Sequence, residues 1–244
     1  MNTYLYDGEY KSLLSLINVL IRDKIEPLNI KCEKEYIDSL FDEPIYLKLE
    51  NDKELSELKK SIPINILKTC YYAFLSSEDN KELAIYKFIK DANIYKNGIY
   101  YRRNLDSVNN IINYSHKVSS ELHRMKGFLR FKKMKNFYYA EMSPTNNIIW
   151  LLPRHFKERL KNELWIIKDN AREIYALYDT KKVTFLKKDD ICKLDLHFSS
   201  DEVLFEELWK TFFKTIAIKE RKNLKCQMNH LPKKYWKNML EMEE

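Results

Sequence analysis

Glu121-Leu122-His123-Arg124-Met125-Lys126-Gly127-Phe128-Leu129-Arg130-Phe131 is the stretch in which the chain changes its hydrophobic period. Upstream of it, Leu105, Val108, Ile111, Ile112, Val118, Leu122 and Met125 fall on one side of a helix of about 3.6 residues per turn. The spacing predicts one long helix over 105–126. Asn104 is placed to cap its start, and Gly127 to end it in a left-handed C-cap. Downstream the period drops to about two. Phe128–Met134 and Phe137–Met142 read as strands, followed by Leu164–Lys168, Ile174–Tyr178 and Val183–Leu186. A helix after Pro144, carrying Ile148, Ile149, Leu152 and Phe156, fits between the second and third of these.

Working outward, Tyr4-Leu5-Tyr6-Asp7-Gly8 reads as a short strand ended by a glycine turn. A helix through Leu13, Leu14, Ile17, Leu20 and Ile21 follows, and Pro27 closes it. A second strand is expected over Ile45–Leu49, then helices over about 52–61, from Pro63, and over about 77–92. At the other end, a final long helix is expected over about 201–221. Its face of Phe205, Leu208, Trp209, Phe212 and Ile216 reads as core. The fold class is therefore α+β, with a helical N-terminal half, a central mostly antiparallel sheet and a long C-terminal helix. Residues 1–100 are expected as a mainly helical region with short strands, and 101–244 as a basic α+β domain forming one compact unit with it.

Charge is unevenly distributed. Residues 1–60 hold nine Lys/Arg against thirteen Asp/Glu, whereas 210–237 hold nine against Glu220 alone, and 116–135 seven against Glu121 alone. Such asymmetry points to a polyanionic partner for the second half. No apolar run approaches the ~18 residues of a membrane span, and the first residues lack the pattern of a secretory leader, so a cytoplasmic location is expected. Cys32, Cys70, Cys192 and Cys226 lie far apart and read as free thiols rather than as a zinc set or disulfide framework. No metal and no cofactor is expected. Phosphate-binding loops, dinucleotide fingerprints and the zinc-deaminase pattern are absent.

The candidate residues lie in the basic segments. Lys126 falls near the centre of the apolar face of its helix. It either snorkels, or points with His123 and Arg130 into a pocket for phosphate or a modified base. Phe128 and Arg130 share one strand face, a pairing suited to base stacking beside phosphate. Lys210, Lys214 and Arg221 align opposite the apolar face of the last helix, and either track phosphates or form an ordinary solvated face. Tyr235 and Trp236, set among Lys233, Lys234 and Lys237, either stack on unpaired bases or dock on the protein's own core. The expected DNA-contacting set is Arg124, Lys126, Arg130, Lys132, Lys210, Lys214, Arg221, Asn223, Lys233, Tyr235 and Trp236. Were the chain catalytic, His123, Lys126 and Asp169 are the candidates.

In order and spacing, several stretches resemble a bacterial family labelled as DNA metabolism or DNA repair proteins, which carries a C-terminal domain of unknown function. The matching pieces begin with Tyr4–Gly8 and His123–Phe131. Tyr139–Pro144, Leu152–Phe156, Trp165–Asp169 and Tyr175–Asp179 follow. Leu208–Phe213, Ile216–Asn223 and Leu231–Trp236 complete the set. The resemblance implies a partner, a radical S-adenosylmethionine (SAM) protein similar to spore photoproduct lyase. In some relatives the module is fused to a uracil-DNA-glycosylase-like domain. The implied role is a DNA-binding accessory subunit of a repair or modification system, acting on single- or double-stranded DNA. Two alternatives stand beside it: an enzyme acting on a damaged or modified base, of glycosylase or lyase type, and a protein-interaction subunit without DNA contact.

Overall fold

A computed structural model of the chain describes residues 2–37, 42–47, 49, 51–188, 200–218, 221, 223–239 and 242. The fold is mixed α+β, and the chain divides into two units, Met1–Ser120 and Glu121–Glu244.

In the first unit, β1 (Asn2–Tyr6) lies between β2 (Asn29–Cys32) and β3 (Glu43–Tyr46) and is parallel to both, with Tyr4 opposite Ile30 and Ile45. Parallel neighbours need a long crossover, and α1 (Tyr10–Arg22) supplies it between β1 and β2. Gly8 makes the turn into α1 at φ +91°, and a Cβ there would lie 2.8 Å from Cys32 Sγ. Asp7 fastens the turn by accepting from the Glu9 amide at 2.8 Å and from the Ser12 hydroxyl at 2.7 Å. Leu13, Leu16, Ile17 and Leu20 of α1 are fully buried with Ile30, and with Ile66, Ile85, Phe88 and Ile89 of the helices that follow. Those helices are α2 (Asn51–Ser61), α3 (Ile64–Phe74) and α4 (Lys81–Tyr95). β2 has no counterpart in the sequence expectation, and β3 lies slightly ahead of the strand expected over Ile45–Leu49. The third of these helices starts later than 77, because Asn80 is left-handed at φ 57°.

α5 (Asp106–Phe128) carries the chain into the second unit. There the strand order is β4-β5-β6-β7-β8: β4 (Lys132–Lys133), β5 (Tyr138–Met142), β6 (Trp165–Asp169), β7 (Ile174–Tyr178) and β8 (Val183–Lys187). β5 and β6 are parallel, and the other pairs antiparallel, so the sheet is mixed. The β5–β6 crossover carries a 3-10 turn (Ile148–Trp150) and α6 (Pro153–Arg159).

Three expectations are corrected. Gly127 does not end α5: it is helical, and the Leu129 amide still bonds Met125 oxygen at 3.1 Å. The cap is instead Arg130, whose guanidinium donates to the Gly127 carbonyl at 2.9 Å, a cation where the helix dipole favours one. The strand expected over 128–134 shrinks accordingly to β4. The C-terminal helix also stops short. α7 (Ser200–Ile216) is followed by a separate α8 (Leu224–His230), because the Asn223 side chain caps a new helix by accepting from the Cys226 amide at 3.0 Å. Residues 219 and 220 of the expected helix lie outside the described residues, as does Cys192. Finally, Leu208, Trp209, Phe212 and Ile216 are 42–57% exposed rather than core. The side chain of Phe205 is outside the described set.

Candidate nucleic-acid interface

The second unit is organised around one carboxylate. Glu121 sits on the inner side of α5 and is 3% exposed. Its Oε1 accepts from the Thr145 amide at 3.0 Å, the Lys234 ammonium at 2.8 Å and the Tyr235 hydroxyl at 2.6 Å. Its Oε2 accepts from the Asn146 amide at 2.7 Å and the Asn146 side-chain amide at 2.6 Å. Burial alone raises a carboxyl pKa. Here the hydrogen bonds from Lys234, Tyr235, Asn146 and Thr145 outweigh it and hold Glu121 down at about 2. Lys234 also donates to Thr145 Oγ1 at 2.7 Å. From the other side, Arg172 donates to the carbonyls of Pro144 at 3.3 Å and Thr145 at 2.6 Å.

This node joins the two basic segments. Lys234 and Tyr235 belong to a 3-10 helix (Lys233–Asn238), and the Tyr235 ring lies 5.7 Å from that of Phe128. The single acid of 116–135 is therefore turned inward and matched, while Arg124 and Lys135 of that stretch are exposed. Glu121 is the residue that sequence reasoning passed over. Its signal was present: a lone carboxylate in a basic run, on the buried side of a helix, where a charge requires partners.

The other candidates fall into groups. His123 and Arg124 are exposed on α5. Lys126 is half-buried, and its charge reaches His155 on α6. Burial, then Lys126, then Arg159 lower the His155 pKa, so the ring is neutral at pH 7 among cations. Lys132 pairs with Glu206 of α7 at 2.8 Å, which matches its charge within the protein. Lys210 is half-buried, Arg221 is exposed, and the Lys214 side chain lies outside the described set. Asn223 is a helix cap. Lys233 is exposed, with its ammonium 5.8 Å from the Trp236 ring centre. Trp236 is half-buried and donates from Nε1 to the Leu231 carbonyl at 2.9 Å. Tyr235 is 3% exposed, so its ring is core and has no face for a base.

The catalytic candidates are not gathered. Asp169 is fully buried at the end of β6, held by Arg172 at 3.0 Å and by the amides of Ala171 and Arg172. Among the described residues no hydrogen bond or ion pair links it to His123 or Lys126. Nor do any three His, Cys, Asp or Glu side chains cluster as metal ligands among the described residues. No described helix is long and apolar enough to cross a membrane.

A family model described as a domain of unknown function (DUF4130) matches residues 79–241. No curated protein and no solved structure matches the chain.

Proposed function

The chain belongs to the DUF4130 family, whose domain has no known function, and from that premise we propose a DNA-binding accessory subunit of a DNA repair or modification system that acts with a radical SAM protein. The observation that carries the DNA part is the Glu121 node. It draws 121–135 and 233–236 together in one unit and removes the only acid of the first segment from the surface. Arg124, Lys126, Arg221 and Lys233 are left to meet phosphates, with Arg130, Lys132, Lys210, Lys214 and Asn223 around them in sequence. Partial burial of Trp236 against its own backbone leaves it a smaller part in stacking. Phosphate contacts of this kind position a protein on DNA without reading sequence. The radical SAM partner rests on the family resemblance.

Fluorescence anisotropy of the whole chain with labelled duplex and single-stranded oligonucleotides tests the reading. Affinity is expected to fall steeply with salt; ten phosphate contacts lose on the order of 10⁵ between about 50 and 200 mM. No detectable binding at the low end sinks it.

A second reading, a protein-interaction subunit, has one observation in its favour: the exposed Leu208, Trp209, Phe212 and Ile216 along α7. Co-purification of the radical SAM protein that survives nuclease treatment supports it. Loss of the association on nuclease treatment returns the case to DNA. The base-modifying enzyme reading draws no support from the placement of Asp169.

A further inference from the structure

We infer that Trp150, backed by Phe185, is a stacking platform for an unpaired base of single-stranded DNA, a site that rests on the DNA-binding reading and adds a strand preference to it. Trp150 ends the 3-10 turn Ile148–Trp150. The two residues before it, Ile148 and Ile149, are fully buried, as is Leu152 after it. The backbone that presents the indole is therefore anchored on both sides. Trp150 is 41% exposed. The Phe185 ring of β8 lies 4.3 Å away, centre to centre, at 42°. An exposed aromatic already packed against another ring loses little freedom when a base stacks on it, which is what a stacking site requires.

The sequence around Trp150 and Phe185 is rich in cations suited to flanking phosphates: residues 150–188 hold ten Lys/Arg against five Asp/Glu. Three of those five acids are engaged. Asp169 is buried on Arg172, and Glu173 pairs with Lys188 at 2.8 Å. Asp179 accepts from the amides of Lys181 and Lys182 in its own turn. The Arg154 side chain, four residues after Trp150, is 91% exposed. Of the other exposed aromatics, Tyr46 stands in the net-acidic stretch 1–60, and Trp209 and Phe212 of α7 pair with each other at the wider separation of 5.9 Å.

The test compares labelled oligothymidylate with a duplex of equal length, at one salt concentration, on the full chain. Trp150→Ala is expected to weaken oligothymidylate binding roughly tenfold to a hundredfold, as loss of one base stack does, and duplex binding by no more than about twofold. Trp150→Phe is expected to retain most of the affinity. Equal weakening of both DNAs, or none, overturns the platform. If the wild type binds duplex but not oligothymidylate, the DNA reading stands and the platform falls; if it binds neither, both fall. Should Trp150→Ala fail to fold, tryptophan emission decides. Oligothymidylate is expected to quench the wild type more than Trp150→Phe, and equal quenching overturns the assignment.

Discussion

The units Met1–Ser120 and Glu121–Glu244 both bury apolar side chains, and they differ in the hydrogen bonding that stands beside that core. The first packs a central parallel strand and its crossover helix into apolar side chains, with Leu13, Leu16, Ile17, Phe88 and Ile89 fully excluded from water. The second places a carboxylate at the meeting point of a helix, a loop and the C-terminal 3-10 helix, and gives it five hydrogen bonds. An apolar core is tolerant, since hydrophobic side chains of similar volume replace one another at small cost. A buried charge is not: every donor that loses it is stranded. The contrast teaches where a basic surface gets its shape. Lysines and arginines repel one another, and a single buried acid between two basic segments can hold them on one body while offsetting only one of their charges.

The largest effect that can break this comparison is Glu121→Ala. It is expected to cost about 3–5 kcal/mol, because Lys234, Tyr235, Asn146 and the Thr145 amide lose their common partner. All four tryptophans lie between 150 and 236, so urea denaturation followed by tryptophan emission reads the second unit. A loss below about 1 kcal/mol removes Glu121 from its central place. The matching change in the first unit, Phe88→Ala, is expected to cost a similar 3–5 kcal/mol through cavity formation, read by hydrogen exchange in α1 and α4.

Acid separates the units next. The folded-state pKa of Glu121 is about 2, below its ordinary 4.5, so its stabilisation is present above about pH 4.5 and is lost as pH falls towards 2. Fully expressed, that is roughly 3 kcal/mol. Glu82 in the first unit shifts the other way: burial raises its pKa, only partly opposed by its backbone hydrogen bond, by Lys81 and by Tyr6. Its cost is present when it is ionised and vanishes on protonation. Acidification below about pH 4.5 is thus expected to weaken the tryptophan-reported transition while sparing the Glu82 region. Parallel losses in both by denaturation and hydrogen exchange contradict the assignment.

Two glycines sharpen the contrast at smaller scale. Gly8→Ala is expected to destabilise by about 1–3 kcal/mol, given a left-handed backbone and the nearby Cys32 Sγ. Gly127→Ala sits in a helix with open space around it and is expected to stabilise by about 0.5–1 kcal/mol. Thermal melts of the two variants that move in the same direction refute the helical placement of Gly127.

Much of the fold is legible in the sequence, and the gaps have physical causes. The period of α5 shows directly because it buries one face, and β5 to β8 show as short runs rich in β-branched and aromatic residues. β2 escapes because Ile30 and Cys32 alone are buried along it, too few to show a period. The left-handed end expected at Gly127 fails because Arg130 can cap the helix from three residues beyond, a competition local pattern does not settle. The apolar stripe of α7 reads as core because hydrophobicity records what prefers burial, whereas Leu208, Trp209, Phe212 and Ile216 stand exposed. At the candidate site, the basic segments are visible as charge, but their meeting at Glu121 spans 113 residues to Lys234 and is a tertiary fact. The same holds for Trp150 against Phe185.

The account's central claim is that the second unit's exposed cations meet DNA phosphates. It is tested most directly by the slope of log affinity against log salt for duplex DNA, with Arg124, Arg221 and Lys233 each changed to Gln, singly and together. Each single change is predicted to lower the slope by about one and the triple by about three, with weakening that does not depend on sequence. A triple variant with the wild-type slope and affinity would contradict it.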